Sequence, residues 1–410
     1  MMMKRRDMLK LLLAGATALV PPFSYVARAY AYSTPSASDT RFLLVFLRGG
    51  YDATNVVIPV SSNFYYEARP TIAIKKPNAH DPESALALAR AGKTVEWGLH
   101  PALRDTIYPL WQLGQVAFVP FAGTNNLSRS HFEAQDRMEE GLFGKEHSTH
   151  SSGFMNRLAK VLGNAAAPVA FTDGLPVSMT GDLVIPNVSL KGANPAPFDD
   201  RQAALLADMY AGTRFEPLVN EGFELRKTVA EQAAMMQSEN RNAISARGFE
   251  LEAQRMAGLM RDKFNLAFID IGGWDTHVNQ GGAQGQLANL LGNLGAGLAV
   301  FAQQMGSAWK NTVVVVVSEF GRTFRENGTR GTDHGHGTVY WALGGAVHGS
   351  RILGEQVRVE RELLNQDRDW PVLTEYRALL GGLFQRMYGI NTAQLGRIFP
   401  GAVPRDIDLI

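Results

Sequence analysis

Cysteine is absent from all 410 residues, which excludes disulfides, thiolate metal sites and cysteine nucleophiles. Any metal bound here rests on His, Asp and Glu. Charge of one sign is also missing: 40 Lys and Arg stand against 39 Asp and Glu, a formal charge of +1. No basic surplus points to a nucleic-acid partner. Long apolar runs are scarce as well. The longest, Leu11 to Val20, is about half the roughly 20 residues a spanning helix needs, so no permanent membrane span is expected. What remains is ordinary globular composition, 45% hydrophobic and 19% charged, with enough length for a large core.

The first 31 residues read as a targeting segment. Lys4-Arg5-Arg6-Asp7-Met8-Leu9-Lys10 precedes the apolar run, and small-residue cleavage options follow at Ala27–Ala29 or Ala29–Ala31. The arginine pair resembles a bacterial twin-arginine signal, with Met8 where Phe is commonest. The expectation is a periplasmic or secreted protein whose partner during export is the twin-arginine translocase. Cleavage would remove five basic residues and one acid, leaving 35 basic, 38 acidic and a charge of −3. Residues 32–40 (YSTPSASDT continues to Thr40) form a Ser/Thr/Pro-rich leader, and residues 41–410 read as one domain with an irregular or cap insertion around 174–260.

Strand patterns appear at Arg41–Leu47, Gln115–Pro120, Asn265–Ile271 and Thr312–Val317, the last holding five consecutive β-branched valines. Helical patterns lie at Pro101–Leu113, Ser130–Glu140, Gln202–Tyr210, Glu221–Met260, Gln286–Met305 and Tyr376–Tyr388. Ser130 with Glu133 has capping-box spacing. Such alternation predicts an α/β fold: a mostly parallel central sheet with helices on both faces.

Acidic residues follow three of these strands: Asp52 after Arg48-Gly49-Gly50-Tyr51, Asp275 in Gly272-Gly-Trp-Asp-Thr-His277, and Glu319 in Ser318-Glu-Phe-Gly-Arg322. Asp275 and His277, two apart in extended chain, point the same way. Thr332-Asp-His-Gly-His-Gly337 adds His334 and His336. If the strands are neighbours, three carboxylates and three imidazoles gather at the carboxyl edge of the sheet, where ligands bind in open α/β folds. That inventory suits divalent metal, one or two ions. Blander roles exist for each: Asp333 as a turn cap, Glu319 as a salt-bridge partner of Arg322, His100 as a structural group before Pro101. Ser130 is a nucleophile candidate at a helix N-terminus, with Ser128 the alternative; equally, Ser130 is an N-cap with His131 packed against the loop. Arg322 and Arg48 are either anion clamps or ion-pair partners.

Together, Leu47-Arg-Gly-Gly-Tyr-Asp52, Gly98-Leu-His-Pro101, Ser130-His-Phe132, Gly272–His277, Ser318–Arg322 and Gly331–Gly337 resemble the exported bacterial family DUF1501, of unknown function. The resemblance spans essentially the whole chain after the leader. It implies an alkaline phosphatase-like three-layer sandwich, as in sulfatases and cofactor-independent phosphoglycerate mutases. It also implies hydrolysis of an anionic phosphate or sulfate ester, on a small molecule or polysaccharide. One metal, zinc by preference, would rest on Asp275, His277 and a late His (His334 or His336); a second, with Mg, Mn or Ca also open, on Asp52 and Glu319. Ser130 would lie between them as catalytic nucleophile, with Arg322 assisting. The sequence departs from that pattern at Glu319-Phe320, where relatives carry Asp-His, so the second site has one imidazole fewer. A protein that keeps the fold and binds metal or a partner without catalysis is the other reading.

Overall fold

The computed structural model describes residues 40–89, 96–142, 152–190, 200–220, 222–223 and 248–410. The targeting segment and the leader as far as residue 39 lie outside the described residues. Two compact units divide the chain. The larger takes in Tyr32–Pro197 and Gly222–Ile410; Phe198–Glu221, with a helix at Asp200–Tyr210, belongs to the other.

The larger unit is built on an eight-stranded sheet. Its strands are β1 (Arg41–Leu47), β5 (Val116–Gly123), β6 (Pro168–Ala170), β7 (Leu266–Ile271), β8 (Thr312–Ser318), β9 (Thr338–Leu343), β10 (Arg351–Ile352) and β11 (Thr374–Glu375). A small antiparallel sheet of β2 (Val57–Ile58), β3 (Leu86–Ala87) and β4 (Gly98–Leu99) sits apart. The main order is β10-β5-β9-β8-β1-β7-β6, with β11 also on β5. Among the described residues of this sheet, only β9 runs against its neighbours, β5 and β8. This is the mixed, mostly parallel sheet expected of the sequence.

Alternation along the strands makes three layers. Leu43, Val45 and Leu47 of β1 face a layer containing helices Phe249–Asp262 and Gln286–Met305. Phe42, Leu44 and Phe46 face helices Phe154–Leu162, Tyr376–Tyr388 and Thr392–Ile398. The valines of β8 divide the same way, Val314 and Val316 against Val313, Val315 and Val317. Burial on both faces is why these strands read as continuous apolar runs.

Two expectations need correction. Pro101–Leu113 is not one helix but a 3-10 turn at Pro101–Leu103 and a helix at Ile107–Gln112. Pro109 cannot donate to Asp105 and its ring crowds that carbonyl, so no helix runs through both. The second concerns Ser130, which is the N-cap of helix His131–Glu140 but makes no capping bond. Glu133 instead accepts from Ser128 Oγ at 2.8 Å and Arg137 Nε at 3.0 Å. The long Glu221–Met260 pattern is seen as a helix from Phe249 to Asp262; its middle, 224–247, lies outside the described residues. Strand β9, Thr-Val-Tyr-Trp-Ala-Leu, was not among the expected strands despite its β-branched and aromatic content.

Register sets up the site. Leu47 of β1 lies beside Ile271 of β7 and Ser318 of β8. The three strands therefore end together, and the segments carrying Asp52, Asp275–His277 and Glu319–Arg322 leave from one edge.

Candidate metal centre

Two glycines let these segments approach backbone to backbone. Gly49 has φ +123°, and a Cβ there would lie 2.7 Å from Asp275 N. A Cβ on Gly331 would lie 2.2 Å from the carbonyl oxygen of His277. Any side chain at Gly331 would push apart the two loops that carry His277 and His334.

Four side chains then converge. His334 Nε2 is 3.0 Å from His131 Nε2 and 3.0 Å from His277 Nε2. Asp275 Oδ1 lies 3.0 Å from His277 Nε2 and 3.2 Å from His334 Nε2, while Oδ2 is 3.5 Å from His131 Nε2. Among the described residues, His131, Asp275 and His334 form a group able to share one ion, and the contacts of His277 add it to them.

The opposite ring nitrogens fix the tautomers. His131 Nδ1 is 2.8 Å from Glu319 Oε1, His277 Nδ1 is 3.1 Å from Asp333 Oδ1, and His334 Nδ1 is 2.8 Å from the carbonyl of Arg129. Each partner is an acceptor, so each Nδ1 carries a hydrogen and each ring turns its Nε2 inward. Both carboxyls stay ionised. Burial pushes Glu319 up, but hydrogen bonds from His131, Gln135 and the Gly49 amide hold it below its usual range. A hydrogen bond from Asn327, with His277 beside it, lowers Asp333. Glu319 in turn raises the pKa of His131, whereas burial lowers that of His334.

Three imidazole nitrogens and one carboxylate, each imidazole steadied by an acceptor behind it, fit a first-row divalent ion such as zinc. His131, His277, His334 and Asp275 are the residues that would hold it. The ring of Phe320 packs beside the cluster, with centroids 4.9 Å from His131 and 5.2 Å from His334.

The other sequence candidates fall elsewhere. Asp52, expected as a ligand, is fully buried and spent on Arg69, at 2.6 and 2.9 Å, and on Gln280 Nε2 at 2.6 Å. Glu319 is likewise fully buried and faces His131 from behind; its Oε2 accepts from Ser318 Oγ at 2.9 Å. His336 is buried, and burial with the nearby charge of Arg129 takes it down to about 4; its ring is not one of the four converging groups. Arg322, expected to face an anion, is itself buried: Nη2 donates to Asp275 Oδ1 at 2.6 Å, and Nε has no hydrogen-bond partner among the described residues. Arg48 joins Asp270, Gln135 and Glu139 in a half-buried network. His100 is structural, accepting from Ala102 N and meeting the Gly282 carbonyl, and burial lowers it to about 4. Ser130 is exposed and adjoins His131 at the start of the helix.

His131 is the member of the converging group that sequence reasoning missed. The one available signal was its place in Ser130-His131-Phe132, directly after the helix N-cap, where its ring faces the strand ends.

Comparison with known proteins completes the picture. Two solved structures are similar to this chain at low identity. One is a protein in the alkaline phosphatase superfamily from Vibrio parahaemolyticus, 11% identical, covering 84% of this chain and 69% of its own, with TM-score 0.33. The other is Ps i-CgsB in complex with k-i-k-neocarrahexaose, 9% identical, covering 87% and 74%, with TM-score 0.36. No curated protein matches. No helix among the described residues is long and apolar enough to cross a membrane. The profile of the protein of unknown function DUF1501 matches residues 39–398, and the chain belongs to that family.

Proposed function

We propose that this protein is an exported, metal-dependent hydrolase of phosphate or sulfate esters. The observation that carries the reading is the inward convergence of His131, His277 and His334 Nε2 on Asp275, with an acceptor behind every ring. The Arg5-Arg6 leader supports export after folding, with metal loaded before translocation.

A divalent ion in this cluster would take up charge from an ester oxygen and lower the pKa of a hydroxyl or water brought against it. The chain supplies the rest. Ser130 precedes His131, and its hydroxyl makes no capping bond, whereas the Ser128 hydroxyl donates to Glu133. Ser130 is therefore the better nucleophile of the two. It would attack phosphorus or sulfur in line, forming a serine ester as the bond to the leaving alcohol breaks; water then releases the acid and restores Ser130. Free N–H groups in the first turn of helix His131–Glu140 favour the anionic group beside it. Arg322 Nη2 donates to Asp275 Oδ1, the oxygen that also faces His277 and His334. The guanidinium charge keeps that carboxyl below its usual range although burial opposes this.

The test is turnover of p-nitrophenyl phosphate and p-nitrophenyl sulfate by the full chain, before and after chelation and on restoring zinc. Ser130→Ala should lower kcat by on the order of 10⁶-fold. Activity indifferent to both chelation and Ser130→Ala would sink the proposal. One observation favours the second reading, metal binding without catalysis: four protein groups converge, the number of protein ligands found in closed zinc sites. One ion per chain with no turnover of either ester would support it.

A further inference from the structure

We propose that Gln280, seated between the two ligand loops, is a positioning residue for the metal centre. The inference rests on the metal-binding reading above and concerns how the ligands are kept in place. Gln280 Oε1 accepts from Thr276 Oγ1 at 2.8 Å and from Thr332 Oγ1 at 2.9 Å. Thr276 stands between Asp275 and His277, while Thr332 precedes Asp333, which orients His277, and His334. A single carbonyl oxygen thus takes its two hydrogen bonds from the two loops that supply three of the four ligands. The three residues are fully buried, so water does not substitute for a lost partner without a change in packing.

An amide can rotate by half a turn at little steric cost, and the flipped form would aim N–H groups at both threonines. Asp52 prevents it. Its Oδ2, bonded to Arg69, accepts from Gln280 Nε2 at 2.6 Å, so the carbonyl end faces the loops. Asp52 is fixed by Arg69, whose five N–H groups are all used: two on Asp52, one on Asn55, and one each on the carbonyls of Thr323 and Phe324. Those carbonyls follow Arg322 directly, so the same guanidinium also ties down the segment that braces Asp275. The acidic residue that looked like a ligand in the sequence sets the orientation of the amide that aligns the ligands.

The test uses the full chain, stripped with a chelator and titrated with zinc, and separately with cobalt(II), whose visible absorption reports coordination geometry. Gln280→Leu should weaken zinc binding by about 10–100-fold, the usual effect of losing a group behind a metal ligand, and change the cobalt band. Thr276→Val with Thr332→Val, which leaves Gln280 in place, should weaken zinc about as much, yet add less than about twofold in the Gln280→Leu background. That pair also serves if Gln280→Leu does not fold. Affinity and cobalt band unchanged in the threonine pair overturn the inference while leaving the metal centre intact. The same holds for additive losses in the triple variant. A wild-type chain that binds neither ion overturns the metal reading and this inference with it.

Discussion

Two clusters of charged residues lie at the same edge of the sheet, and they differ in what completes them. Around Asp52 every strong donor and acceptor has a protein partner: Arg69, Gln280 and Asn55 close on one another with no solvent exposure. Around Asp275, which Arg322 also bonds, an acceptor lies behind each imidazole, while His334 Nε2 faces those of His131 and His277 at 3.0 Å each. Both begin as an acidic residue after a strand. The lesson is that such a residue ends in an open cluster or as a buried strut according to whether a distant arginine reaches it unaccompanied by histidines.

The comparison can be broken most forcefully from the buried side. Arg69→Met strands the Asp52 carboxylate in the interior and should cost about 3–5 kcal/mol of stability in denaturant unfolding. A loss under about 1 kcal/mol would mean that Asp52 is not held as a buried ion pair. Next in size is Gly331→Ala, whose Cβ would meet the His277 carbonyl at 2.2 Å. Overpacking should cost about 1–3 kcal/mol and should weaken zinc binding too, because it separates the loops. If zinc affinity survives the stability loss, the loops are not coupled as described.

His334→Ala sharpens the contrast from the other side. Without metal it should shift stability by no more than about 0.5 kcal/mol, the range for a partly exposed side chain outside the core, while zinc binding collapses. An equal stability loss with and without zinc would make His334 a packing residue. The gentlest probe is pH. Glu319 raises the pKa of His131, so a proton competes with metal there up to a higher pH than at an ordinary imidazole. Zinc affinity should rise with pH through and above the usual imidazole range, and Glu319→Gln should move that rise to lower pH. A profile unmoved by the substitution would separate Glu319 from the centre.

Much of the architecture was legible before any coordinates. Arg41–Leu47, Gln286–Met305 and Tyr376–Tyr388 have the bounds their patterns indicate, because continuous burial on both faces or one long helical period leaves little choice. Asp275, His277 and His334 were legible as a group, since glycine-rich loops after adjacent strands can hardly avoid meeting. Asp52 was misread because its partner Arg69 precedes Pro70 in a stretch with no sign of chemistry. His131 was missed for a related reason: a histidine after an N-cap serine looks like a helix residue until the helix is placed over the strand ends. Long-range pairing decides both cases, and local pattern carries no trace of it.

The account stands most directly on the metal content of His131→Ala beside the wild-type chain, measured by elemental analysis after equilibration with zinc. One zinc per wild-type chain, and none retained by His131→Ala after gel filtration, is the predicted result. Two ions per wild-type chain, or full zinc retention without His131, would contradict a single centre built on three histidines and Asp275.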